Sequence, residues 1–109
     1  MFYLRKRSWL TFLILFCLCF NGFAQGSIII ANVLEKESGE PLAGASVALY
    51  QENDSSFMAG TVADLNGIFE LKSVPKGTYV LEISFIGFIP LKVPVRITGE
   101  NKNLGTLYL

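Results

Sequence analysis

Residues 63–84 read ADLNGIFELKSVPKGTYVLEIS. Apolar and polar residues alternate from Ile68, break at Val74-Pro-Lys-Gly77 and alternate again from Thr78. That period of two belongs to half-buried β-strands, not to a helix. In the second run Tyr79, Leu81, Ile83 and Phe85 share one face, and Thr78, Val80, Glu82 and Ser84 share the other. In the first run Phe69 and Leu71 are expected to point inward. Asp64-Leu-Asn-Gly67 reads as a tight hairpin turn, with Asn66 and Gly67 suited to the positive φ such turns demand. Pro75 and Gly77 shape the second break.

The same signals extend in both directions. Ser27–Glu35 is rich in β-formers and ends at a turn supplied with Gly39 and Pro41. Gly44 precedes Ser46–Tyr50, where Val47 and Leu49 fall on one face. Gln51–Ser56 is a polar connection, and Phe57–Ala63 a short strand whose pattern does not decide which face is buried. Gly87 bends the chain after Phe85. Leu91–Ile97 carries Pro94 and follows Pro90, so it is expected at a sheet edge, where a missing N–H is tolerated. Leu104–Leu109 closes the series. Seven short strands at this turn spacing predict an all-β, antiparallel sandwich.

The 109 residues are too few for more than one domain. The formal charge is zero, yet Arg5, Lys6 and Arg7 stand at the N-terminus and every Asp and Glu follows residue 34. Behind them Leu10–Phe20 is an apolar run of 11 residues, and Gly22 and Ala24 supply the small residues of a cleavage site. Residues 1–24 are therefore expected to be an export signal, cut before Gln25. The run is well short of the roughly 20 residues that span a bilayer. The mature domain, 25–109, would hold six basic against nine acidic side chains, a net −3. Nucleic acid and anionic membrane are poor partners for such a balance. Cys17 and Cys19 leave with the signal, and the residues before them do not make a lipidation site.

Chemistry is sparse. No histidine is present, which removes the commonest general base, the usual zinc ligand and the Ser-His-Asp arrangement together. The nine carboxylates are spread singly over turns and solvent faces. Asp64-x-Asn66-Gly67 resembles the opening of a calcium loop, but the bidentate Glu required at position twelve would be Pro75. A non-catalytic protein without metal or cofactor is expected. Tyr50, Phe57, Phe88 and Tyr108 are less firmly assigned to the core than Phe69, Tyr79 and Phe85, and an exposed aromatic pair could stack on a sugar ring.

Four ordered blocks are similar to those of the carboxypeptidase regulatory-like domain. They are Ser38–Val47 (SGEPLAGASV), Gly60–Phe69 (GTVADLNGIF), Val74–Leu81 (VPKGTYVL) and Ser84–Phe88 (SFIGF). The resemblance implies a transthyretin-like (prealbumin-like) sandwich of seven strands. It also marks Gly39, Pro41, Gly44, Asp64, Asn66, Gly67, Pro75, Gly77 and Gly87 as the structural turn positions. Three positions depart from the family pattern: Ala31 replaces a usual Gly, Glu35 a usual Asp and Ala63 a usual Thr. In bacteria such domains follow a signal peptide at the front of TonB-dependent outer-membrane receptors, including the starch-utilisation type of Bacteroidetes. The resemblance thus implies a periplasmic accessory module of a nutrient-uptake receptor, as a fragment or separately encoded. Its partner would be the plug and barrel of the same or a neighbouring chain, at the periplasmic face of the outer membrane. The alternative is a free-standing exported carbohydrate-binding-like module, with Tyr50 and Tyr108 as candidate contacts to glycans.

Overall fold

Alternation of buried and half-buried residues along Ser27–Leu34 makes this strand, β1, the centre of a three-stranded sheet. The computed structural model describes residues 26–109, so the expected signal segment lies outside the described residues. The remaining strands are β2 (Ser46–Gln51), β3 (Phe57–Val62), β4 (Ile68–Val74), β5 (Gly77–Ser84), β6 (Leu91–Ile97) and β7 (Lys102–Tyr108). They form two sheets, β4-β1-β7 and β3-β2-β5-β6.

The core is the facing set of side chains the period-2 pattern selects. Ile29, Ala31 and Val33 from β1 and Phe69, Leu71 and Val74 from β4 meet Val47, Leu49, Tyr79, Leu81, Ile83, Val95 and Ile97 from the other sheet. Leu42, Ala45 and Ala63 close the space between them. Leu81, Ile83, Leu49 and Ile29 are fully buried, and burial of each such side chain contributes about 1.5–3 kcal/mol. Phe85, expected on the inward face of β5, is half-buried and packs at the margin of the core. β3 has no deeply buried face, which is why its pattern does not decide an orientation. β6 is an edge strand, and Pro94 sits on it opposite Val80.

Two expectations need correction. The sandwich is not wholly antiparallel, because β1 and β7 pair in parallel. Nor is the Asp64–Gly67 turn a hairpin: it joins β3 of one sheet to β4 of the other, and the Pro75–Gly77 turn likewise carries the chain back. The true hairpins are β2–β3 and β5–β6, whose strands are hydrogen-bonded neighbours. Strand, turn and strand look alike in sequence whether the second strand pairs with the first or crosses to another layer.

The corner at Asp64–Gly67 fixes how the layers meet. The Val33 N–H donates to the Gly67 carbonyl at 2.7 Å, and Asp64 exchanges backbone hydrogen bonds with Ile68 and Gly67. Gly67 is buried with φ at 77°, and a Cβ there would collide with the Val33 carbonyl oxygen. Gly39 has a similar φ of 73° but open space around it. An Ala at positive φ costs about 1–2 kcal/mol from strain alone. Gly39→Ala is therefore expected to lower unfolding free energy by about 1 kcal/mol, and Gly67→Ala by about 3 kcal/mol or more, since a backbone oxygen cannot move aside. Urea denaturation of the two variants checks this; equal losses would show that the close approach to β1 is unimportant.

Candidate functional site

The strand register sorts the loops into two ends. The first end takes the close of β1, β3, β5 and β7 and the start of β2, β4 and β6. Its loops are residues 35–45, 63–67 and 85–90, with Leu109 beside them through its N–H to the Leu34 carbonyl. Gly26, residues 52–56, 75–76 and 98–101 form the second end.

Most of the turn positions lie at the first end, and each has its own reason. Asp64 Oδ1 accepts from the Asn66 N–H at 2.8 Å and from the Ile68 N–H at 2.9 Å. One carboxylate thus satisfies two backbone donors the corner leaves unpaired. Asn66 supplies its amide but not a positive φ, contrary to expectation; only Gly67 of the pair adopts one. Gly44 also departs from its expected role. A Cβ there would meet nothing within 4 Å, so its φ of 80° and not a close approach is what favours glycine. Pro41 makes an isolated bridge with Leu34. Pro75 and Gly77 lie at the second end, where the Tyr79 hydroxyl donates to the Pro75 carbonyl at 2.8 Å and pins the crossover to the core. Gly87 takes φ 88° at the tip of the β5–β6 hairpin. These nine residues shape both ends of the sandwich and do not converge on one point.

No group of three or more His, Cys, Asp or Glu that could hold a metal is found among the described residues. Asp64, the calcium-loop candidate, spends one oxygen on its own corner instead. A groove of about 520 Å³ lies at the second end between Gln51–Asn53 and Pro75–Tyr79, with Glu52 and Lys76 as its charged residues. A smaller one of about 300 Å³ runs over the outer face of the four-stranded sheet, along Tyr50, Val80, Glu82 and Lys92. Tyr50 is held there edge-to-face by Phe57, ring centroids 6.0 Å apart. Tyr108 belongs to the other sheet, so Tyr50 and Tyr108 cannot form a joint platform.

Sequence reading treats Ile86–Pro90 only as a bend. The structure leaves Ile86 and Ile89 almost wholly exposed at its tip. The signal was available: no charge falls between Glu82 and Lys92. Gly26 was missed for want of any pattern; a Cβ there would run into the backbone of Ser73, itself at positive φ where β4 bulges against β1.

Two sheets of this order make a small transthyretin-like β-sandwich. The chain belongs to the CarboxypepD_reg-like domain family, whose model matches residues 31–108. No curated protein matches the sequence. Among solved structures, a 5-hydroxyisourate hydrolase of Klebsiella pneumoniae is similar at 19% identity and a TM-score of 0.59, over 75% of this chain and 90% of that one. The TIE protein of Bacillus anthracis gives 15% identity and a TM-score of 0.61, over 76% of this chain but 16% of its own. The major pilin subunit BcpA of Bacillus cereus gives 15% and 0.55, over 78% and 29%. At these identities the likeness is one of fold.

The Ser56 side chain, and then its N–H at 3.0 Å, hold the Asp54 carboxyl below the ordinary aspartate range. A lowered folded-state pKa stabilises the fold above the unfolded value and loses that contribution as pH falls through the folded value. Ser56→Ala should therefore move the Asp54 midpoint upward in an NMR titration, and an unchanged midpoint would remove the hydroxyl as its main cause.

Proposed function

We propose that this protein is an exported, non-catalytic accessory module that serves a TonB-dependent outer-membrane receptor from the periplasmic side. The observation that carries the reading is the extent of the family match. Residues 31–108 take in nearly the whole described sandwich, so the family's domain accounts for almost all of it. The basic, apolar and small-residue order of Arg5 to Ala24 supports export. The small share of the TIE and BcpA chains that the fold occupies supports a modular use, since in both it is one part of something longer. With a net −3 behind the leader, the module's contact with its partner is not a basic footprint for nucleic acid. A tagged chain, cross-linked in its native cells, should come down with an outer-membrane β-barrel protein in stoichiometric amount. Recovery as a free periplasmic monomer, with no barrel after cross-linking, would overturn the receptor assignment.

A second reading, a free-standing glycan-binding module, is favoured by the Tyr50 groove. It is lined by Val80, by the Tyr50 ring braced by Phe57, and by the polar Gln51, Glu52, Glu82 and Lys92. Stacking on a ring with a few polar contacts is how a shallow site holds a sugar. This reading expects saturable glycan binding that Tyr50→Ala abolishes and Tyr108→Ala leaves unchanged. Calorimetric titration against a broad oligosaccharide panel decides it, and uniformly flat heats would remove it.

A further inference from the structure

Six of the seven large apolar side chains that stand exposed among the described residues lie at the first end of the sandwich. Val62, Leu65 and Ile68 come from the β3–β4 corner, Ile86 and Ile89 from the β5–β6 hairpin, and Tyr108 from the close of β7. Ile86 is 95% and Ile89 89% exposed, so nothing among the described residues covers them. The tip that presents them is built. The Phe88 N–H donates to the Phe85 carbonyl at 3.1 Å, and the Phe85 and Phe88 rings lie 5.9 Å apart and pack on the margin of the core. Ile83–Leu91 carries no charge, and the cross-strand neighbours Glu82 and Lys92 close that run at its base. The second end is the reverse: Gln51–Ser56, Lys76 and Thr98–Asn101 are polar throughout.

We propose that the first end is a lipid-docking surface, and that Ile86 and Ile89 enter the interface of an electrically neutral bilayer. The tip presents apolar side chains and no charge, and insertion at a bilayer interface requires no directional contact. Charge decides between the other occupants. The loops at this end hold Glu35, Glu37, Glu40 and Asp64 against Lys36 alone. Two copies set end to end would repel, and so would an anionic membrane surface. A zwitterionic surface accepts the isoleucines while the acidic rim stays in water. Tyr108, half exposed at the same end, suits the headgroup level where aromatic rings collect. The inference goes beyond the accessory-module reading and does not depend on it, because a free-standing module would dock in the same way.

The test uses the full chain with its single tryptophan removed by Trp9→Phe. Ile89→Trp then reports the tip and Asn53→Trp the opposite end, with brominated phosphatidylcholine vesicles as quencher. Residues 10–20 are present in both proteins, so the difference between the two probes reports orientation alone. The expected result is a blue shift and several-fold stronger quenching at position 89. Adding Ile86→Ser should lower that quenching and weaken partition roughly tenfold, the scale set by one exposed isoleucine. Thermal melts establish that the variants are folded. Equal quenching at 89 and 53 would overturn the proposal. A blue shift at 89 that grows with protein concentration without vesicles would also overturn it, in favour of a second copy.

Discussion

Everything in this sandwich depends on how its two sheets are held at the Asp64–Gly67 corner. The chain must leave β3 in one layer and enter β4 in the other within five residues, and keep its turn amides paired as it does so. It does so with one carboxylate and one missing side chain. Asp64 takes up the Asn66 and Ile68 N–H groups, and Gly67, having no Cβ, lets its carbonyl reach the Val33 amide of the central strand. Of the amides paired here, that of Val33 is fully buried, and leaving it unsatisfied would cost about 1–3 kcal/mol, comparable to the burial of a core isoleucine. The corner therefore matters as much to the fold as the apolar side chains that flank it. Phe69 and Leu71, two residues of the core, follow directly from where it aims β4.

The same geometry gives the molecule two unlike ends. Because consecutive strands run between layers or return as hairpins, all loops fall into one set or the other. One set is polar and holds the Tyr79–Pro75 hydrogen bond and the Asp54–Ser56 turn. The other presents isoleucines on a braced hairpin within an acidic rim. A small domain with a thin core does not gain from exposing Ile86 and Ile89, and a core position was close at hand, since Phe85 and Phe88 nearby do pack inward. Exposure there is a feature of the surface and not a failure of packing.

Much of this was legible in the sequence. Strict alternation in β5 named Tyr79, Leu81 and Ile83 as core, and the prolines near β6 placed it at an edge; both follow from rules acting over a few residues. What was not legible is long-range. The partners of β4 and β5 are β1 and β2, roughly thirty to forty residues away, so local alternation could not distinguish a hairpin from a crossover. The parallel pairing of β7 with β1 has no local signature at all. Turn chemistry was half legible: Gly67 was expected to need its freedom, but that Asp64 rather than Asn66 supplies the rest depends on side-chain direction. At the surface, the run from Ile83 to Leu91 carries no charge and was read only as a strand end and a bend, and only the three-dimensional arrangement separates Phe85 from Ile86.

The proposed role of the protein lies in where a rigid sandwich is held. That claim is tested most directly by locating the native chain in fractionated cells and reading the mass of its N-terminal peptide. The expected result is a chain in the outer-membrane fraction, facing the periplasm, that begins at Gln25. A cytoplasmic chain with Met1 to Ala24 intact would contradict it.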